Sequence, residues 1–214
     1  VLDTPIEKRR RYLPEPLKAF PYVDGGLFAD QIDVPPLTEE LRDALLEISE
    51  GFDWSGVSPV IFGSLMEETL SHDERRKGGM HYTSVKNIHR LIDPLFLDGL
   101  KAELEGAEAR PVAGGSRTNA LNKLHDKIAD LRFLDPACGS GNFLTETYLE
   151  LRRIENRILA DLDKDGQLAL DLGDDINPVK VSISHFHGIE INGFACAVAR
   201  TALWIAEQDR KSVV

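Results

Sequence analysis

The sequence predicts an α/β domain with parallel strands, entered through an α-helical region, and three observations carry that prediction. The apolar run LRFLDPA at 131–137 has strand length, and it leads straight into the glycine turn CGSGN at 138–142. A helical periodicity follows, with Phe143, Thr147, Leu151, Ile154 and Ile158 on one face. A second strand candidate, SHFHGIEI at 184–191, again precedes a helical pattern, the small-residue-rich FACAVARTALWIAEQ at 194–208. Strands that alternate with helices pair in parallel, because a parallel neighbour needs a crossover to reach it.

The upstream elements are helical. Residues 1 to about 36 are rich in proline and glycine, carry a basic run at Lys8 to Arg11, and read as extended connecting structure. Thr38 offers an N-cap, with Glu39 and Glu40 in the first turn and Leu41, Leu45 and Ile48 at helical spacing, which predicts a surface helix. Ser58-Pro59 starts a second helix with Ile61, Phe62, Leu65, Met66 and Leu70 on one face. A third begins near Ser84, carries Ile88, Leu91, Ile92, Leu95 and Phe96, and bends at Asp93-Pro94. EGAEARPVAGGSRT at 105–118 reads as a surface loop, followed by a short helix with Leu121, Leu124 and Ile128.

Composition sets the outer limits. The chain has 214 residues, 42% hydrophobic and 29% charged, which is ordinary globular content for one large domain or two small ones. No stretch approaches the roughly 18 apolar residues of a membrane span, and the first residues lack a signal-peptide core, so a soluble cytoplasmic protein without membrane partners is expected. Val1 in place of a starting methionine suggests a piece of a longer protein. Cys138 and Cys196 stand among small and apolar neighbours and read as buried thiols in a reducing compartment. With 25 Lys or Arg against 36 Asp or Glu, the net charge of −11 opposes nucleic-acid binding on charge alone.

The glycine turn is the strongest chemical signal. Gly139 and Gly141 let backbone pass close to a ligand above the strand's carboxyl end. A dinucleotide would want a third glycine where Leu144 stands, and its pyrophosphate would meet the negative Asp135. That disfavours a nicotinamide-dependent oxidoreductase. Asp135 instead suits a ligand with an ammonium group, as S-adenosylmethionine has. Glu190 is placed to accept hydrogen bonds from two ribose hydroxyls, with Ile191 beside it for the adenine face.

These residues carry a resemblance. LDPACGSGNFL at 134–144 resembles motif I, and GIEIN at 188–192 motif II, of adenine-N6 DNA methyltransferases, while ERRKGGMHYTSVKNIHRLIDPLFLD at 74–98 resembles their motif X. FPYVDGGLF, FDWSGVSPVIFGSLME and ARTALWIAEQ are similar to segments of the MmeI-like family, in which a methyltransferase is fused to restriction or phage-defence functions. The resemblance implies a partial Rossmann-like methyltransferase fold that binds S-adenosyl-L-methionine. It places a helical spacer at residues 1–75 and the N-terminal half of the methyltransferase at 76–214. Carried over by position, Tyr82 and Thr83 contact the methionine part of the cofactor and Asp135 its ammonium group. Ala137, Gly139 and Gly141 line its cradle, Phe143 forms the far wall, Glu190 binds the ribose and Ile191 the adenine. Taken alone, Tyr82-Thr83 would be an ordinary turn and N-cap, and the glycine turn a structural β-to-α connection.

The departure from the family is the absence of motif IV, the Asn/Asp-Pro-Pro-Tyr/Phe segment that holds the target amino group; Asn177-Pro178 continues as Val179-Lys180. No catalytic residue is therefore assigned in this chain, and the chain alone is expected to be inactive. Double-stranded DNA is the implied partner, held mostly by parts beyond these residues, which answers the charge objection. Two alternatives stand beside this reading: a non-catalytic cofactor-binding or interaction module, and an amino methyltransferase acting on cytosine N4 or protein glutamine. Asp161, Asp163, Asp165 and Gly166 imitate an EF-hand opening, but Leu172 stands where a bidentate Glu is needed. His185 and His187 would share a strand face but lack a third ligand, so no metal is expected.

Overall fold

The computed structural model describes residues 36–52, 57–61, 63–64, 83–164 and 178–208, together with residues 8, 11 and 13–18. The chain divides into two units, residues 1–58 and residues 59–214. In the first, a short helix α1 (Glu15–Lys18) precedes α2 (Glu39–Gly51). Thr38 caps α2 as its sequence predicts: the Leu41 N–H donates to Thr38 Oγ1 at 3.2 Å. No residue of α2 is buried.

The second unit opens with turn and helical backbone at 59–61 and 63–64, where Val60 and Gly63 are buried and Ile61 is exposed. Phe62, Leu65, Met66 and Leu70, expected on the same face, lie outside the described residues. Helix α3 (Val85–Ile92) passes through a π-helical turn (Asp93–Leu97) into α4 (Asp98–Glu108). Pro94 lacks the N–H that an α-helical turn would use, and the chain widens so that the Asp98 N–H reaches the Asp93 carbonyl. The extra residue in that turn shifts the apolar stripe. It runs through Ile88, Ile92, Leu97, Leu100 and Leu104, whereas Leu91 and Leu95, expected on that face, are exposed. The loop expected over 105–118 is confined to 109–115, since α4 continues to Glu108 and α5 (Ser116–Asp130) starts at Ser116.

Strands β1 (Phe133–Asp135) and β2 (Phe186–Gly188) pair in parallel, with Phe133 opposite Phe186 and Asp135 opposite Gly188. Between them runs α6 (Asn142–Lys164), and α7 (Gly193–Gln208) follows β2. The order β1, α6, β2, α7 is the predicted parallel alternation. Phe133 and Phe186 stack at 5.2 Å, Phe96 tilts against Phe133 at 5.2 Å, and Tyr148 of α6 meets Phe186 edge-on at 5.5 Å. These rings fix the covered face of the sheet against the π-turn and α6. The core beneath continues through Leu121, Leu124, Ile128, Leu151, Ile154 and Ile158.

Three sequence expectations need correction. The acidic loop expected from about 161 begins later, because α6 runs to Lys164; Asp161 is helical and paired with Arg117 at 2.9 Å, so the EF-hand imitation is not a loop at its first positions. His185 sits in a 3-10 turn (Ile183–His185) rather than in the strand with His187. Both thiols are free and half-buried, not buried.

An ion-pair network joins the upstream helices to α6. His89 places Nδ1 2.7 Å from Asp93 and Nε2 3.2 Å from Glu146, so both ring nitrogens face carboxylates. The Asp93 hydrogen bond raises the His89 pKa above its usual 6.5, burial works against it, and Glu146 adds to the rise. A raised histidine stabilises the fold fully below the unfolded value and loses that contribution as pH rises through the folded value. His89→Gln should therefore lower the thermal midpoint clearly at pH 6 and little at pH 8.5. An equal deficit at both pH values, measured by calorimetry, would remove the imidazolium from this account.

Candidate functional site

The site grows out of the β1–α6 connection. β1 delivers Asp135 to the sheet edge, and the ladder continues one step beyond it: the Ile189 N–H donates to the Asp135 carbonyl at 2.9 Å and the Cys138 N–H to the Ile189 carbonyl at 3.1 Å. The turn then uses left-handed backbone at Gly139 (φ +53°) and Gly141 (φ +76°). Gly141 starts α6 by accepting from the Thr145 N–H at 2.8 Å. Beside it, Asn192 caps α7 through its side-chain oxygen, which accepts from the Ala195 N–H at 3.0 Å.

Glu190 binds the two connections together. Its Oε2 accepts from the Gly139 N–H at 3.0 Å and its Oε1 from the Asn192 N–H at 2.8 Å. A carboxylate offers about four acceptor positions, so two remain for a ligand. Asp135 Oδ1 accepts from the Ala137 N–H at 3.1 Å, which makes that amide part of the turn. The two carboxylates therefore stand over adjacent parallel strands, as the sequence predicts. Both are partly exposed, and Ile191 beside them is 97% exposed.

The glycines show where the turn is open and where it is packed. A Cβ on Gly139 would meet no atom within 4 Å, so the turn is open on that side. Gly188 is the opposite case: a Cβ there would lie 2.5 Å from Cys138 Sγ and 3.2 Å from Leu144 Cδ1, so only glycine lets β2 approach the turn. Burial first, then the charges of Asp135, Cys196 and Glu190, push the Cys138 thiol up to about 11. The thiol stays neutral at physiological pH and serves as packing. Two carboxylates at the mouth favour a cationic ligand group, and an open left-handed turn with an exposed isoleucine suits a nucleoside.

Of the residues expected at this site, Asp135, Ala137, Gly139, Gly141, Glu190 and Ile191 come together through these strand ends and loops. Phe143 is half-buried and packs against the core. Thr83 is half-buried just before α3, and Tyr82 lies outside the described residues. Sequence reading misses the spacing role of Gly188, and also a cluster away from the turn. There His89, Glu146 and Glu150 bring ligand atoms within 4.8 Å of one another. Lys101, 2.9 Å from Glu150, and Arg153, bonded to the same carboxylate, already neutralise that cluster, which makes it an ion-pair lock and not a metal centre.

A parallel strand–glycine turn–helix unit, with acidic residues over both strand ends, defines part of a Rossmann-like methyltransferase domain. The chain is similar to the MmeI-like DNA methyltransferases. Residues 112–214 match the family model described as MmeI, DNA-methyltransferase domain. The chain is similar to a solved structure of the Type IIL restriction-modification enzyme MmeI in complex with DNA, at 40% identity and a TM-score of 0.76, covering 99% of this chain and 27% of that one. It is 40% identical over 207 residues to DNA methyltransferase A of Bacillus subtilis (strain 168), covering 97% of this chain and 22% of the relative. To the adenine-specific methyltransferase PglX of Streptomyces coelicolor it is 34% identical, over 92% of this chain and 18% of that protein. The chain thus spans about a quarter or less of these relatives. Among the described residues, no helix is long and apolar enough to cross a membrane.

Proposed function

We propose that this chain is the cofactor-binding part of a restriction-modification DNA methyltransferase that moves a methyl group from S-adenosyl-L-methionine to adenine N6. The observation that carries the reading is the pair Asp135 and Glu190, over adjacent parallel strand ends, flanking a left-handed glycine turn open at Gly139. Asp135 pairs with the ammonium of the methionine part, and Tyr82 and Thr83 close over that part. Ala137, Gly139 and Gly141 shape the cradle and Phe143 backs it. The two acceptor positions left on Glu190 take the ribose hydroxyls, and Ile191 covers the adenine. Bound here, the cofactor supplies an electrophilic methyl group; this chain's residues bind and orient it.

Adenine as target and double-stranded DNA as partner draw support from the relatives, one named adenine-specific and one solved with DNA. A target base inside a duplex must be extruded to reach the methyl group. The residues that hold its amino group are assigned outside this chain, so the chain alone should not methylate DNA.

Calorimetric titration of the full-length protein tests the reading. S-adenosylmethionine should bind saturably and NAD should not. Asp135→Ala and Glu190→Ala should each weaken binding by about 10- to 100-fold, the range for lost hydrogen bonds to charged groups. Binding of S-adenosylmethionine unchanged in both variants would refute the site. Analysis of methylated duplex for N6-methyladenine against N4-methylcytosine decides the target.

A further inference from the structure

Gly63 lies more than seventy positions before the glycine turn, in the short helical stretch at 63–64, yet it faces side chains of that turn with no room for a Cβ. A Cβ at this position would stand 2.4 Å from Asn142 Oδ1, 2.7 Å from Asn142 Nδ2 and 2.6 Å from Ser140 Oγ. Carbon, nitrogen and oxygen do not approach so closely without something shifting. Gly63 is not among the glycines with positive φ, so the backbone there does not itself call for glycine. Space is the remaining reason. Ser140 can turn its half-buried hydroxyl away, but Asn142 is buried at the first position of α6 and its amide has little room to move, so Asn142 carries most of the constraint.

We propose that Gly63 is a positioning residue for the cofactor cradle, one of the supports that hold residues 138–142 in their ligand-ready shape. Others are the Glu190 carboxylate on the Gly139 N–H and Ala199 of α7 against Gly141. A loop fixed on three sides before the ligand arrives loses less freedom on binding, and the gain appears as affinity. Gly63 touches no ligand. Its effect passes through Ser140 and Asn142, and the inference rests on the cofactor reading above.

The test is a cycle on the full-length protein, read as the dissociation constant for S-adenosylmethionine. Gly63→Ala should weaken binding tenfold or more in the wild-type background. In a Ser140→Ala, Asn142→Ala background, which removes the atoms a new Cβ would strike, the same substitution should change binding less than threefold. Folding is followed by circular dichroism. If Gly63→Ala alone fails to fold and the combined variant folds, the contact is equally established. An unchanged dissociation constant in Gly63→Ala overturns the proposal, as does an equal loss of binding or folding in both backgrounds. Absence of S-adenosylmethionine binding by the wild type would instead overturn the cofactor reading itself.

Discussion

Gly141→Ala should abolish S-adenosylmethionine binding and destabilise the β1–α6 connection, whereas Gly139→Ala should abolish binding and leave the fold largely intact. Both glycines hold left-handed backbone, which costs a residue with a Cβ roughly 1–2 kcal/mol. They differ in what surrounds them. A Cβ on Gly141 would lie 2.8 Å from the Ala199 Cβ and 3.1 Å from its Cα. Ala199 is buried in α7, so relief requires moving that helix, and overpacking of this kind adds roughly 1–3 kcal/mol. The total for Gly141→Ala is about 2–5 kcal/mol, from strain and overpacking together. A Cβ on Gly139 meets nothing, so strain is its whole cost to the fold, but it occupies the open side of the cradle. Hydrogen exchange of the amides in 138–145 reports the fold, and calorimetric titration reports the ligand. Equal exchange rates in the two variants would mean that α7 does not support the turn.

The contrast marks what could be read from the sequence. The β1, turn, α6 order was legible because a short apolar run, two glycines and a helical stripe each leave a local pattern; that pattern places Asp135, and the second apolar run before a helix places Glu190. Thr38 was legible as a cap for the same reason. Gly63 and Gly188 were not, since a glycine kept for space depends on atoms distant in the chain: Asn142 for one, Cys138 for the other. Leu95 was misplaced because one proline turned an α-helical turn into a π turn and moved the stripe by a residue. Glu146, Glu150, Arg152 and Glu155 of α6 are all buried, although none belongs to its apolar stripe. Charged residues at helical spacing carry no sign of whether a second helix will cover them with counter-charges.

Glu155→Ala should be the most destabilising single change in the second unit. The Glu155 side chain is fully buried, and its carboxylate gathers His125 Nε2 at 2.8 Å, the Lys180 N–H at 2.6 Å, the Val181 N–H at 3.1 Å and the Arg152 guanidinium. It thus ties α5 and α6 to the segment that leads into β2 and on to Glu190. Burial alone would raise its pKa; the hydrogen bonds from His125 and Lys180 and the charge of Arg152 outweigh burial and hold it below the usual range. Removing the carboxylate leaves a buried guanidinium uncompensated and two backbone N–H groups without their acceptor. Losing one partner of a buried pair costs about 3–5 kcal/mol. At 1.4 kcal/mol per tenfold, that corresponds to a loss of roughly 100- to 4,000-fold in exchange protection at the Lys180 and Val181 amides. Glu155→Gln keeps an acceptor oxygen and should fall between the two. Because a depressed carboxylate contributes stability above its unfolded value and loses it as pH falls through the folded one, the difference between wild type and Glu155→Ala should shrink only under acid conditions. If the Lys180 and Val181 amides keep their protection in Glu155→Ala at neutral pH, β2 is held by its ladder with β1 and its aromatic stack, and Glu190 owes its position to these rather than to this buried carboxylate.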